Sequence, residues 1–308
     1  MQKVIVTGSN GFIGRHLVQK LSEESFSIVA LIDPRFDFSQ IEGLPNVTVI
    51  NFSLQQLEKL YSDDRLNNSD IIYHFAWSGV NANYRNNDEE QLQNIKYSLD
   101  VLKLANHFQV HRVLIPGSAA EVSCGDEMIT GNEPPAPSDI YSATKVATRH
   151  LCQVYARQHE IELIWPLITS IYGPGRDDNN LISYAIKTLL KGEKPSFTRL
   201  EQQWDYLYID DLIDALIALG EKGRSGVYPI GSGESKKMNE YVEIIHQKIN
   251  PDLPLGIGEL SYKNPNKIDN QIMDISALKK DTGFYAKTSF EDGISKTIEY
   301  FRTIVKNG

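Results

Sequence analysis

The sequence predicts an α/β fold in which a doubly wound parallel sheet is joined to a smaller, discontinuous C-terminal domain. Three observations predict it. Short β-branched runs alternate with longer helical patterns through the first half of the chain. The first run, Val4-Ile5-Val6, leads straight into Thr7-Gly8-Ser9-Asn10-Gly11-Phe12-Ile13-Gly14 and then into an amphipathic segment with Leu17, Val18 and Leu21. A second apolar run, Ile28 to Ile32, ends in Asp33, about twenty residues beyond the last glycine. Strand, glycine turn, helix, strand and acid, in that order, describe a Rossmann-type unit.

The glycines carry a chemical expectation as well as a structural one. Without a Cβ, Gly8, Gly11 and Gly14 let the chain turn sharply, come close to a pyrophosphate and pack the helix on the sheet. The helix N-terminus then offers N–H groups and the positive end of its dipole to the anion. A dinucleotide is therefore expected on Gly8, Asn10, Gly11, Phe12, Ile13 and Gly14, with Asp33 on a ribose diol. Asp33 repels a 2′-phosphate and favours NAD over NADP, while Arg35 points the other way.

Further strands are expected at Val47 to Ile50, Ile71 to Phe75, Val113 to Ile115 and Ile161 to Leu167, and two long helices at about Asp88 to Phe108 and Asp139 to His159. The second half is less regular. Helical patterns lie near Leu181 to Leu190, Leu212 to Leu219, Met238 to Ile249, Ser276 to Lys280 and Phe290 to Ile304, and Val227 to Gly231 reads as one more strand returning to the first sheet. The expected division is residues 1–170 with a return segment at about 207–232 for the dinucleotide, and 171–206 with 233–308 for the substrate. A ligand cleft is expected between the two.

With 308 residues, 41% hydrophobic and 23% charged, the chain can bury a sizeable core. Its net charge of -9 argues against nucleic acid as the main partner. The two cysteines, Cys124 and Cys152, are too few and too unpatterned for a disulfide framework or a metal site. There is no basic-then-apolar leader and no apolar run of about 18 residues, so a cytoplasmic protein without a membrane span is expected.

Tyr141-Ser142-Ala143-Thr144-Lys145 sets a phenol and an ammonium four residues apart, on one face of a helix that begins near the carboxyl edge of the sheet. A phenol is a poor base near neutrality unless positive charge stabilises its ionised form, and Lys145 supplies such a charge. Ser118, in Pro116-Gly117-Ser118-Ala119-Ala120-Glu121, is placed to hydrogen-bond the same substrate oxygen. A Tyr141 that merely packs, a solvated Lys145 and a Ser118 that caps a turn are the alternatives. His74, closing an apolar strand, reads as a satisfied core histidine.

The chain resembles the extended short-chain dehydrogenase/reductases, the nucleotide-sugar epimerase, dehydratase and reductase superfamily, over essentially its whole length. The resemblance is carried by Thr7-Gly8-x-x-Gly11-x-x-Gly14, Asp33, His74-Phe75-Ala76-Trp77, the stretch at Ser118, Tyr141-x-x-x-Lys145, Tyr172-Gly173-Pro174-Gly175 and Trp204-Asp205-Tyr206-Leu207-Tyr208-Ile209-Asp210-Asp211. It implies Ser118, Tyr141 and Lys145 as catalytic residues. It also implies cofactor contacts at Ala76 and at Asn51, where the family often has Asp, and substrate contacts at Trp77 and Ser170. Arg176 and Arg199 have the guanidinium forks to hold a diphosphate. A homodimer through the two long helices is implied as well.

Departures from the family pattern narrow the chemistry. Members that dehydrate the sugar carry an Asp-Glu pair after the catalytic hydroxyl, where this chain has Ala119-Ala120. The Gly-Ser-Ala-Ala-Glu form resembles 4-ketoreductases that make 6-deoxy sugars, although Val122-Ser123-Cys124-Gly125 leaves Ser123 as a rival to Ser118 and puts Cys124 near the cleft. The Arg and Asn that precede Tyr-Gly-Pro-Gly in the family are Leu167 and Ser170 here, and the Arg of its Arg-Asp-Phe segment is Trp204. The expected activity is an NAD(P)-dependent 4-ketoreductase acting on a nucleotide-diphosphate sugar. A 4-epimerase and a non-catalytic NAD(P)-binding regulator are the alternatives.

Overall fold

The computed structural model describes residues 1–80, 83–122, 125, 127–176, 178, 180–262 and 270–307. In chain order they form β1 (Lys3–Thr7), α1 (Phe12–Glu23), β2 (Ser27–Ile32), β3 (Val47–Asn51), β4 (Ile71–His74), α2 (Asp88–His107), β5 (Arg112–Leu114), β6 (Gly117–Ser118), α3 (Ile140–Gln158) and β7 (Glu162–Ile168). There follow β8 (Ser170–Tyr172), α4 (Leu181–Leu190), β9 (Ser196–Phe197), β10 (Gln203–Trp204), β11 (Tyr206–Tyr208), α5 (Ile209–Lys222) and β12 (Gly226–Ile230). The chain continues through β13 (Lys236–Lys237), α6 (Met238–Ile249), β14 (Gly256–Ile257), α7 (Ser276–Thr282) and α8 (Phe290–Asn307).

The main sheet has the order β12-β7-β5-β4-β1-β2-β3, with every pairing parallel and β6 alongside β7. Its strands are covered on both faces, and so they read as unbroken apolar runs. The period of two survives inside those runs. Val4, Val6, Ile28, Ala30, Ile32, Ile71 and Tyr73 enter one core layer, while Ile5, Val29, Leu31, Ile50 and Ile72 enter the other. Helices α1 and α5 pack together, as do α2 and α3. The order reverses at β1, where β2 lies to one side and β4 to the other, and this opens a crevice at the carboxyl ends.

The return strand predicted at Val227 to Gly231 is β12, paired in parallel with β7 from Gly226 opposite Ile164 to Ile230 opposite Ile168. In the second half α4, α6 and α8 pack on one another, and Tyr172, Tyr206, Tyr241 and Phe290 form an aromatic cluster with neighbouring ring centroids 4.5 to 5.0 Å apart. That cluster continues the core layer on one face of the sheet. A 3₁₀ segment, Leu54–Ser62, has no counterpart in the sequence expectation. Leu57 and Leu60 are buried three residues apart against α2, a spacing too short to register as an amphipathic helix.

One buried carboxylate ties the two halves. Asp211, in the first turn of α5, accepts the Lys287 N–H at 2.9 Å and the Thr288 N–H at 3.0 Å just before α8. Asp211→Ala leaves both donors without that acceptor and is expected to cost about 2–3 kcal/mol, read as a lower urea midpoint at unchanged m-value. A loss under about 0.5 kcal/mol would show that the tie carries no stability.

Candidate active site

The glycine turn is closed by the Gly11 N–H donating to the Gly8 carbonyl at 2.9 Å. Gly8 has φ +68°, and a Cβ there would stand 2.6 Å from the Ala76 nitrogen; one on Gly14 would stand 2.1 Å from the Gly8 oxygen. Both positions therefore exclude any side chain. The Asn10 amide donates to the carbonyls of Asp33 at 2.9 Å and Phe36 at 3.3 Å, which pins the turn to the end of β2. At the start of α1, Gly11 supplies no side-chain cap, and the first-turn N–H groups of Phe12, Ile13 and Gly14 have no acceptor within the helix. Bare first-turn donors beside a turn that no Cβ obstructs fit a diphosphate.

Asp33 follows β2, and its carboxylate takes a fork from Arg35, with Nε–Oδ1 2.9 Å and Nη2–Oδ2 2.5 Å. The hydrogen bond from Arg35 holds Asp33 below the usual carboxylate range. Arg35 is thereby occupied as a counter-ion at the rim. Asn51, exposed at the end of β3, lies opposite Ile32 on the same rim.

A buried chain of hydroxyls and imidazole fixes the end of β4. The Ala76 N–H donates to Thr7 Oγ1 at 3.2 Å, Thr7 Oγ1 lies 2.8 Å from His74 Nδ1, and His74 Nε2 lies 3.4 Å from Ser98 Oγ, which donates to the Asn94 carbonyl. A neutral imidazole protonated at Nε2 satisfies every link. Burial pushes His74 down to about 3, with the Lys145 charge adding to the effect. The core-histidine expectation agrees with this placement.

Asp139 caps α3 by accepting the Ser142 N–H at 2.8 Å, and so aims Tyr141 and Lys145 inward one turn apart. Both are buried. Ser118, whose Oγ accepts the Ala120 N–H at 3.2 Å, stands by the Tyr141 phenol and favours its ionised form. Lys145 Nζ donates to the Pro116 carbonyl at 2.8 Å and stands 3.4 Å from the Trp77 ring centroid but 5.8 Å from that of Tyr141. Burial pushes Lys145 down to about 7, against the pull of Glu121. Burial also raises the Tyr141 phenol, opposed by Arg85, whose Cζ is 4.2 Å from the ring centroid, and by Ser118.

The structure thus brings Ser118, Tyr141, Lys145 and Trp77 together. The rest are more scattered. Ser170 Oγ accepts the Trp204 indole N–H at 3.0 Å. Arg176 reaches the glycine turn, its Cζ 5.9 Å from the Phe12 ring centroid, but its fork is engaged by Asp178 and its Nη1 by the Ile171 carbonyl. A phosphate there would have to exchange with Asp178. Arg199 is exposed near Gly258. Ser123 and Cys124 lie outside the described residues. Cys152 is buried and its thiol pushed up to about 12 by that burial, which removes it from thiolate chemistry.

Four supporting residues escape the sequence expectation. Arg85 is one. Glu121 Oε1 accepts the Ser118 N–H at 2.9 Å and the Trp165 indole N–H at 3.1 Å, while its other oxygen lies 3.5 Å from Arg149 Nε. Its signal was the capping-box spacing of Ser118 and Glu121. On α2, Gln91 accepts the Trp77 indole N–H at 3.1 Å, and Asn94 exchanges two hydrogen bonds with the Ser78 backbone. Gln and Asn on a helix carry no such signal, because the partner loop is distant in sequence.

The model of the NAD dependent epimerase/dehydratase family matches residues 4–231. The chain belongs to this family. Among relatives, UDP-glucuronic acid decarboxylase 3 of Arabidopsis thaliana is 29% identical over 97% of this family member and 89% of the relative. Among solved structures, UDP-glucose 4-epimerase of Thermotoga maritima with UDP-glucose superposes with a TM-score of 0.87 at 22% identity, over 99% of this chain and 100% of that one. The dTDP-glucose 4,6-dehydratase of Bacillus anthracis in complex with NAD gives 0.85 at 21% identity, over 99% and 98%. Among the described residues no helix is long and apolar enough to cross a membrane.

The burial of His74 makes a pH prediction. Its folded-state value of about 3 lies below 6.5, so between those values the unfolded chain binds a proton that the folded one refuses. Stability then falls as pH drops through this window, by up to about 1.4 kcal/mol per unit. His74→Gln is expected to flatten that dependence in urea titrations across the window. An equally steep loss in the variant would assign the acid sensitivity to other groups.

Proposed function

We propose that this chain is an NAD-dependent nucleotide-sugar 4-ketoreductase that reduces a 4-keto-6-deoxy sugar. The observation that carries the reading is the Tyr141–Ser118 hydroxyl pair, flanked by Trp77 and followed by Ala119 and Ala120. The family's name specifies NAD, and Asp33 with its charge balanced by Arg35 suits an unphosphorylated ribose. NAD, when bound in its reduced form, would supply the hydride. The chain's own part is the proton: Tyr141 Oη gives it to the sugar carbonyl oxygen, and Ser118 Oγ hydrogen-bonds that oxygen. Lys145, held on the Pro116 carbonyl and against the Trp77 ring, lends the pair positive charge in its protonated form, which Glu121 favours against burial. Gly8, Asn10, Gly11, Phe12, Ile13, Gly14, Ala76 and Asn51 line the cofactor, and Trp77, Ser170, Arg176 and Arg199 line the nucleotide-sugar.

Sugar dehydration needs an acid and a base beyond this pair. Glu121 is the nearest carboxylate to Ser118 in sequence, and it is committed to Ser118, Trp165 and Arg149 in the interior; Asp139, next to Tyr141, is held by Arg85 and Ser142. Ala120, the less buried of the two alanines, would offer an apolar neighbour to a 6-methyl group instead, while Ala119 packs in the core. We assign residues 1–170 and about 207–232 to the cofactor and 171–206 and 233–308 to the sugar; the parallel sheet in the first set and the packing of α4, α6 and α8 in the second support this division. A 4-epimerase is the second reading, favoured by the similarity to the Thermotoga maritima 4-epimerase. Both use the same residues, and only the reductase consumes reduced cofactor.

Tyr141→Phe is expected to lower turnover by about 10²- to 10⁴-fold while NAD still binds. Undiminished turnover would refute the acid/base role. Stoichiometric loss of NADH absorbance with a 4-keto nucleotide-sugar supports the reductase; sugar interconversion without net loss supports the epimerase; NAD binding with neither activity supports a regulator.

A homodimer through α2 and α3 completes the proposal, since Leu92, Leu151 and Val154 are exposed on these helices. Sedimentation is expected to give twice the chain mass. Leu151→Glu with Val154→Glu is expected to halve it, and a monomeric parent would refute the dimer.

A further inference from the structure

We propose that Arg85 governs the protonation of Tyr141, acting as a positioning residue whose guanidinium stabilises the ionised ring. The inference rests on the acid/base reading of Tyr141 and deepens it. Arg85 lies in the segment between β4 and α2, far from α3 in sequence, yet its Cζ stands 4.2 Å from the Tyr141 ring centroid. Lys145 Nζ, one turn along the same helix, is 5.8 Å away and lies against Trp77 instead. A guanidinium is attracted to the face of a neutral aromatic ring by its quadrupole. An ionised phenol spreads full negative charge into that ring, so the same cation favours the ionised form more strongly than the neutral one.

The geometry is held by contacts that give it little freedom. Arg85 accepts the Tyr141 N–H on its carbonyl at 2.9 Å and donates from Nε to Asp139 Oδ2 at 2.7 Å, and Asn86 Oδ1 accepts the Ile140 N–H at 3.1 Å. Cation and phenol are therefore fixed to one helical turn. From behind, Gln91 Nε2 donates to the Gly79 carbonyl at 2.7 Å and to the Tyr84 carbonyl at 3.3 Å, which anchors the segment to α2.

The charged and hydrogen-bonding groups around the phenol divide by element. Arg85 from the segment before α2 and Ser118 from β6 favour ionisation, while Glu121 after β6 and Asp139 at the cap of α3 oppose it. Burial opposes it most. Asp139 shares its charge between Arg85 and the Ser142 N–H, and Arg85 remains the strongest of the favourable influences. With Arg85 in place Tyr141 is a stronger acid towards a carbonyl oxygen. Without it, burial leaves a phenol that holds its proton too tightly.

The test reads Tyr141 directly. The fifteen tyrosines of the full chain are replaced biosynthetically by 3,5-difluorotyrosine, whose phenol is intrinsically more acidic, and fluorine NMR follows each signal against pH with NAD present. Tyr141→Phe identifies the relevant signal by its loss. Arg85→Gln is expected to move the Tyr141 midpoint to higher pH, and Arg85→Lys to recover most of the displacement, with NAD affinity unchanged. In the reductase assay the alkaline limb of the glutamine variant moves the same way, and its rate at neutral pH falls about tenfold. Arg85→Met, which keeps an apolar stem against the ring, provides the same comparison if the glutamine variant does not fold. An unmoved midpoint in both neutral variants would overturn the inference. Full turnover in Tyr141→Phe would instead overturn the acid/base reading, and the midpoints would still report the Arg85 effect separately.

Discussion

The close approach of two strand ends is the constraint on which the site depends. Gly8 leaves β1 so near the chain leaving β4 that a Cβ would stand 2.6 Å from the Ala76 nitrogen, and the Ala76 N–H bonds Thr7 Oγ1. This contact sits where the strand order reverses, so the crevice above it is formed by the sheet topology itself. It also sets where Ala76 and Trp77 enter the cleft. Trp77 then meets Lys145, and the same segment carries Arg85 to Tyr141. The glycine turn, which we propose holds the cofactor's diphosphate, is therefore also the hinge pin for the other wall of the cleft.

Beneath the hydroxyl pair lies a buried polar layer whose groups are only partly satisfied. Glu121 is fully buried, with one oxygen bonded to Ser118 and Trp165 and the other held near Arg149 only at 3.5 Å. Such an arrangement adds little net stability, because desolvation offsets the Coulomb attraction. Its effect is geometric. The Ser118 main chain can take one position, since any other would leave a buried carboxylate without its donor. Lys145, pushed down by the same burial and pulled up by Glu121, shares this environment.

Much of the fold was legible because its signals are local. Val4 to Thr7, Ile28 to Ile32 and Ile71 to Phe75 are runs whose composition announces a covered parallel strand, the last ending one residue earlier in the structure, and α4 and α6 begin and end where their apolar periodicity does. Tyr141 and Lys145 were legible because four residues make a helical turn. Arg85, Gln91 and Asn94 were not, because their meaning comes from partners on other elements. Leu54–Ser62 was missed for a different reason, as two leucines in a 3₁₀ turn give no sustained period. Arg176 and Arg199 show the limit of reading charge alone: sequence supplies a guanidinium, but Asp178 decides what the first of them holds.

The pairing of β12 with β7 has a consequence for how the chain is made. Each partner of β7 is contributed from a different distance, and the last, β12, is translated about sixty residues after β7 ends. Until then an apolar strand with one open edge waits at the margin of a nearly finished sheet. The nascent polypeptide is most vulnerable to aggregation in that interval, and slow decoding or truncation between β7 and β12 would prolong it.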